Sequence, residues 1–304
     1  MKIWLLKLHR WLALVFAVPL LLVLATAVVL SVEPWLVTAA IKPGALTADR
    51  VTALLARHDP AGKESAIAYR SYDNTLAIGG RAGARIVDVA SGELRPALSP
   101  TAATLLTARR LHETLLIDAS WLVIASTVAM LVSIALGLFM GWPRLANTVS
   151  GWHKGLAWGL LPLLILSPLT GLFIAFGITF MPPAPPPASA PPLPLTEAIR
   201  ILAAKHDLSG LVWLRPQGKR LLARIAEDGE YRVYAVTRDG TTATSRNWPR
   251  LWHEGNFVGA WSALMNLVTA LAATGLLGTG LWIWARRKLR PRNRARGARP
   301  VAAG

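Results

Sequence analysis

Residues 11–32 read WLALVFAVPLLLVLATAVVLSV, a run without one charged side chain. A helix rises 1.5 Å per residue, so roughly 20 such residues cross a hydrocarbon core of about 30 Å. Lys2, Lys7 and Arg10 precede the run and small residues end it, which superficially suits a secretory signal. The apolar stretch is longer than the roughly 7–15 residues of a signal core, so it is expected to stay as a membrane helix. Three further stretches qualify on the same grounds: Ser120–Met140, Leu156–Phe180 and Val258–Trp284. Only 16% of the 304 residues are charged, against roughly a quarter in a soluble domain. Trp4, Trp11, Trp35, Trp121, Trp142, Trp152, Trp282 and Trp284 stand where apolar and polar stretches meet, as an interfacial aromatic belt does.

The net charge of +17 is unevenly placed. Lys2, Lys7 and Arg10, then Arg144 and Lys154, then the tail arginines from Arg286 to Arg299 with Lys288 occupy three segments that hold no Asp or Glu. All 16 acidic residues fall in the two longer connections. The positive-inside rule puts both termini and the short middle loop in the cytoplasm. The basic tail thus reads as a topology signal or an anionic-lipid contact, and nucleic acid is not expected as a partner. The chain then divides into transmembrane helix 1 (1–32), an external insertion (33–118), helix 2 (119–142), a cytoplasmic loop (143–152), helix 3 (153–180), a Pro-rich linker with a second insertion (181–255), helix 4 (256–285) and a basic tail (286–304).

Both insertions read as small α+β units. Each opens with a helical pattern, capped by Thr47 and by Thr196, which ends near Arg57 and His206 respectively. Short strand-like runs follow, punctuated by Gly79-Gly80, Ser91-Gly92, Asp228-Gly229 and Asp239-Gly240. Units this small sit near the lower limit of independent stability, so they are expected to pack on each other or on the membrane surface.

The halves resemble each other. His9-Arg10-Trp11-Leu12 opens the first span and His153-Lys154-Gly155-Leu156 the third; Leu111-His112-Glu113 precedes the second and Trp252-His253-Glu254 the fourth. The fold class expected is a membrane all-α, four-transmembrane-helix bundle built as a parallel two-fold repeat about an axis along the membrane normal. That axis relates His9 to His153 at the inner surface and His112 to His253 at the outer one.

With no cysteine, disulfides, iron–sulfur clusters and thiolate chemistry are excluded. Two imidazoles facing each other across an apolar bundle suit axial ligation of haem b, and two haems, one near each surface, would form an electron path across the bilayer. Gly137, Gly141, Gly155, Gly159, Gly171, Gly275, Gly278 and Gly280 could open slots for the porphyrins, and Arg10, Lys154, Arg109, Arg110 and Arg250 could meet their propionates. Glu113 and Glu254 either orient the adjacent histidines or contact solvent. His58 and His206 are expected at the surface. Neither His112-Glu113 nor His253-Glu254 is followed by the second histidine of a zinc-protease helix, and Gly79-Gly80-Arg81-Ala82-Gly83 lacks dinucleotide-binding spacing.

Leu8-His9-Arg10-Trp11, Arg110-Leu111-His112, Gly151-Trp152-His153-Lys154 and Leu251-Trp252-His253-Glu254 resemble the PepSY-associated transmembrane proteins. The resemblance covers nearly the whole chain. It implies a bacterial inner-membrane protein with PepSY-like periplasmic insertions. It further implies haem on His9, His153, His112 and His253, and electrons passed outward from a quinol or a cytoplasmic reductase to a ferric siderophore, releasing Fe(II). The rival readings are a membrane-anchored regulator of an envelope protease or metal-uptake partner, and an accessory subunit of an iron transporter. Against the transporter, the spans hold no deeply placed acidic residue.

Overall fold

The structure, a computed structural model, describes residues 2–80, 83–143, 145–182 and 193–289. Arg144, the linker positions 183–192 and the tail from Arg290 onward lie outside these residues, as do the readings made for them.

The chain is a membrane-associated helical protein carrying one antiparallel sheet. Three helical runs are long and apolar enough to cross a membrane: 17–40, Ser120–Phe139 and Gly259–Leu289. The first comprises α2 (Ala17–Leu30) and α3 (Glu33–Ala40), and is preceded by α1 (Lys2–Val15). It therefore begins and ends later than the stretch 11–32 suggested. The break at Phe16 has a local cause: Pro19 lacks the N–H that would bond Val15 O, four residues back. The second half repeats the device. Here α7 (Val149–Gly159) and α8 (Leu161–Ala175) break at Leu160, two residues before Pro162, and bend by 67°. Counted as one span, this pair is the fourth.

The two insertions do not form separate sheets. The first contributes α4 (Ala48–His58), β1 (Ile67–Arg70), β2 (Thr75–Ile78) and β3 (Arg85–Asp88); the second contributes α9 (Leu195–Ala203), β4 (Leu211–Gln217), β5 (Arg220–Glu227), β6 (Glu230–Thr237) and β7 (Gly240–Ala243). All join one seven-stranded sheet, ordered β3-β2-β1-β4-β5-β6-β7. The junction is the antiparallel pair Ile67↔Leu214 and Ala68↔Trp213. Pairing β1 with β4 removes an open edge from each insertion, and one shared core replaces two marginal ones.

That core forms because both helices present an apolar face at helical spacing. Val51, Leu54 and Leu55 of α4, with Leu195, Ala198, Ile199 and Leu202 of α9, pack on Ile67, Leu76, Leu214 and Ile225 of the sheet. Thr47 caps α4 by accepting from Arg50 N at 3.2 Å. Thr196 does not cap α9; Pro194 holds that position, makes no side-chain cap, and the helix stops at Ala203. His206 is no surface residue: only 10% exposed, it bonds Glu227 and Thr241 and lies against the Tyr234 ring. His58 is half-buried and bonds Gly92 O at 2.8 Å.

Two helices connect the sheet to the membrane region. In α5 (Pro100–Thr114), Ser99 accepts from Ala102 N and proline stands at the first position, where its missing N–H costs nothing. In α10 (Trp248–Glu254), Asn247 accepts from Arg250 N. The long helices α6 (Ser120–Phe139) and α11 (Gly259–Leu289) follow them. The β5–β6 turn docks on the start of α11 through Gly259 N to Gly229 O, 2.7 Å, and Tyr231 N to Asn256 O, 3.0 Å. Ser71 Oγ donates to Val37 O of α3, so both halves of the sheet touch this seam.

Candidate functional site

His112 and His253 stand in the last turns of α5 and α10, not at the heads of the long helices that follow. Each parent helix stops at a left-handed residue, Leu115 in one and Gly255 in the other. After α5 the reversal is severe, with Leu115, Leu116 and Asp118 all at positive φ. Such residues are strained and persist only where surrounding contacts hold them. The reversal sets His112 against α2, and Gly255 does the same for His253 against α8.

The two environments match. His112 Nδ1 lies 3.0 Å from Val23 O and 3.2 Å from Thr26 Oγ1. His253 Nδ1 lies 3.0 Å from Ser167 O and 3.4 Å from Thr170 Oγ1. A carbonyl only accepts, so each Nδ1 carries the proton, and each Nε2 keeps its lone pair for another partner. The ring centroids are 6.0 Å apart with planes at 49°. Burial, reinforced by His253, pushes the His112 imidazole well below its ordinary pKa, and burial does the same to His253. Both rings are therefore neutral at pH 7, the state in which imidazole binds a metal.

An offset of 144 residues relates His9 to His153, the break at Phe16 to that at Leu160, Val23 to Ser167 and Thr26 to Thr170. The inner histidines follow a similar logic. His9 Nδ1 lies 2.9 Å from Ser133 O on α6. His153 Nδ1 lies 2.9 Å from Thr279 Oγ1 on α11. Thr279 has one hydroxyl proton, donated to Gly275 O at 2.7 Å, so its oxygen accepts from His153. Among the described residues, His9 and His153 make no ring-to-ring contact. The outer pair is brought together more closely than the inner one.

Of the eight glycines singled out in the sequence, two face histidines. A Cβ on Gly171 would lie 2.9 Å from His253 Cε1, and one on Gly280 would lie 3.5 Å from His153 Cε1. Only glycine fits at 171 without displacing the ring. Gly155 and Gly275 abut Leu145 and Leu156, whereas Gly137, Gly141, Gly159 and Gly278 face open space.

The outer pair passes a simple fit test for haem iron. Metal–imidazole bonds of about 2.0 Å on each side, with about 1.1 Å from nitrogen to ring centre, put centroids about 6 Å apart. All four rings are half-buried, so protein covers them incompletely. Among the described residues no three His, Asp or Glu side chains gather as a metal site. A porphyrin supplies four ligands itself and asks the protein for only two.

The charges around the outer pair differ from the sequence reading. Arg109 and Arg250, read as propionate partners, are ion-paired with Glu33 and Glu254, the latter at 2.9 Å. Arg10, Arg110 and Lys154 are exposed. Glu254 does not orient His253; it binds Arg224 at 2.5 Å, Arg250 and Asn256. Burial alone would raise its carboxyl, but Arg224, Arg250 and Arg109 outweigh that and hold it far below the usual carboxylate range. Glu113 is exposed. Carbonyls of α2 and α8 orient the outer histidines instead. Those carbonyls, together with Thr26, Thr170 and Thr279, carry no composition signal; the 144-residue offset pairs Val23 with Ser167 and Thr26 with Thr170, whereas Thr279 has Ala135 at that offset.

No curated protein matches this sequence. A family model, that of the PepSY-associated TM region, matches residues 6–287 and so takes in all four histidines and both insertions. On that match, the chain belongs to the PepSY-associated TM region family.

Proposed function

We propose that this protein is a haem-binding carrier of electrons across the bacterial inner membrane, delivering them to a ferric siderophore in the periplasm. In this reading the chain is a parallel two-fold repeat with cytoplasmic termini and periplasmic insertions. His112 and His253 hold one haem b near the outer surface, and His9 and His153 hold a second near the inner one. Haem b held by two histidines would supply reversible one-electron chemistry.

The observation that carries the reading is the matched seating of His112 and His253, each protonated at Nδ1 by a bond to a backbone carbonyl, at a ring separation of 6.0 Å. Structural histidines at helix ends have no reason to be paired, neutral and oriented alike. The 144-residue offset shared by His9 and His153, Val23 and Ser167, and Thr26 and Thr170 supports the repeat, with His112 and His253 141 residues apart. The basic flanks support the orientation, and family membership supports a membrane protein with PepSY-associated helices.

Each chain group has a definite task. The carbonyls of Val23 and Ser167 fix the ring tautomer, and Gly171 leaves room for the His253 ring. A quinol at the cytoplasmic side releases two electrons and two protons on oxidation, and each ferric chelate takes one electron to become Fe(II).

The test uses proteoliposomes with dithionite trapped inside and a ferric hydroxamate chelate with an Fe(II) indicator outside. The reading expects Fe(II) outside at a rate that falls at least tenfold in His112→Ala and in His9→Ala. Equal rates in protein-free vesicles and in both variants would refute it.

A further inference from the structure

Every Asp and Glu of the chain lies between Glu33 and Asp118 or between Glu197 and Glu254. None belongs to α1, α6, α7, α8 or α11, nor to the loop between α6 and α7. Helix α11 starts at the sheet, where Gly259 meets Gly229, and its last turn lies about 45 Å further on at 1.5 Å per residue. That turn carries Arg286, Arg287 and Lys288. Neither Arg286 nor Arg287 makes an ion pair or a hydrogen bond among the described residues. A guanidinium keeps its charge at any physiological pH, and the residues that meet here offer it no carboxylate side chain.

These arginines share a cleft. With Trp282 of α11, and with Thr148, Val149 and Ser150 at the start of α7, they line a space of about 240 Å³. Its inner limit is the contact between the two helices, where His153 Nδ1 lies 2.9 Å from Thr279 Oγ1. Ser150 stands one turn before His153, and Arg286 stands less than two turns beyond Gly280, which the His153 ring faces. The α7 wall is set by a tight approach. A Cβ on Gly151 would lie 1.9 Å from Ala146 O, so glycine alone lets the preceding loop fold back on the helix. Thr148 Oγ1 then accepts from Gly151 N at 3.1 Å. The Ser150 hydroxyl bonds nothing in the protein among the described residues. Two guanidinium groups and a hydroxyl, arriving from two helices, match the several oxygens of a phosphate. Trp282 at the rim is 60% exposed, as an indole at the level of lipid headgroups is.

We infer that the cleft between α7 and α11 binds the headgroup phosphate of an anionic phospholipid, held by Arg286, Arg287 and Ser150 with its acyl chains running past Trp282. Basic clefts between membrane helices, beside an aromatic side chain at the interface, hold such headgroups. The site is independent of haem. It places the lipid contact in a defined cleft one turn from His153, apart from the diffuse charge of the tail, and ties α7 to α11 across the break at Leu160.

The test uses the purified full chain in mixed micelles of phosphatidylcholine and phosphatidylglycerol, with bound lipid counted by native mass spectrometry. Wild type is expected to retain about one phosphatidylglycerol per chain and no phosphatidylcholine in its place. Arg286→Gln combined with Arg287→Gln should weaken that retention about tenfold, and Ser150→Ala about threefold. These side chains make no contacts that the fold needs, so the variants keep the wild-type circular dichroism melt. A control variant replaces Arg292, Arg294, Arg296 and Arg299 by Gln and should retain the lipid as wild type does. The proposal is overturned if the double variant and Ser150→Ala both keep wild-type retention. It is equally overturned if the control variant loses as much lipid as the double variant, for then net charge and not the cleft attracts it. Displacement of the lipid by millimolar inorganic phosphate would overturn the assignment to a phospholipid in favour of the free anion.

Discussion

Gly171→Ala puts one methyl group against the ring on which the outer site depends. The added carbon would stand 2.9 Å from His253 Cε1, where carbon atoms normally rest about 3.5–4.0 Å apart. The imidazole must retreat by about 0.6 Å or more. The same retreat stretches the 3.0 Å bond from Nδ1 to Ser167 O towards about 3.6 Å, beyond a useful hydrogen bond. Overpacking of this kind costs about 1–3 kcal/mol, and the weakened bond adds about 1 kcal/mol. Gly278→Ala is the control, since its Cβ meets nothing within 4 Å. Under the 144-residue offset, Ala27 stands opposite Gly171. The first half thus already carries a methyl where the second cannot, and the damage should be confined to His253. The assay is a thermal melt of detergent-solubilised protein together with haem content from the reduced spectrum. The expected result is a melting point lowered by about 2–4 °C per kcal/mol and partial haem loss in Gly171→Ala only. If Gly171→Ala and Gly278→Ala behave alike in both measurements, the seating of His253 described here is wrong.

Three further outcomes are expected. Thr279→Val removes the acceptor that orients His153 and should lower haem content by up to half while leaving the melt of the sheet region unchanged, as circular dichroism and absorbance would read. Leu202→Ala opens a cavity in the shared core, where Leu202 is fully buried, and should cost about 2–5 kcal/mol in chemical denaturation. Ser91 and Arg95 hold the Asp88 carboxyl down at about 2. Because this folded-state pKa is depressed, its stabilisation is present above about pH 4 and is lost as pH falls towards 2. After allowance for solvent screening it amounts to about 1 kcal/mol, and Asp88→Asn should flatten that part of the melting curve between pH 5 and 2.

Charge-free length and the periodicity of apolar positions are local signals, and they made the spans and the faces of α4 and α9 legible. The pairing of β1 with β4 was not, because Ile67 and Leu214 are joined by a long-range register that no local pattern encodes. Thr196 misled for a related reason: it has the right side chain for a cap, but the helix starts one residue before it, at Leu195. The four histidines could be found because repetition marked them. Their oxygen partners could not, since a backbone carbonyl has no residue type, and Thr26 and Thr170 look like ordinary apolar-helix threonines until both are seen beside an imidazole. The burial of Arg224 stayed hidden because a strand arginine reads as solvent-facing, whereas here Glu254 of α10 and the Tyr231 ring enclose it.

The most direct measurement is the absorbance spectrum of the purified protein, oxidised and dithionite-reduced, after expression with ample haem. The account predicts a haem b spectrum with two haems per chain, about half of which is lost in His112→Ala and the other half in His9→Ala. A protein without a Soret band, or one whose haem content is unchanged by both substitutions, would contradict it.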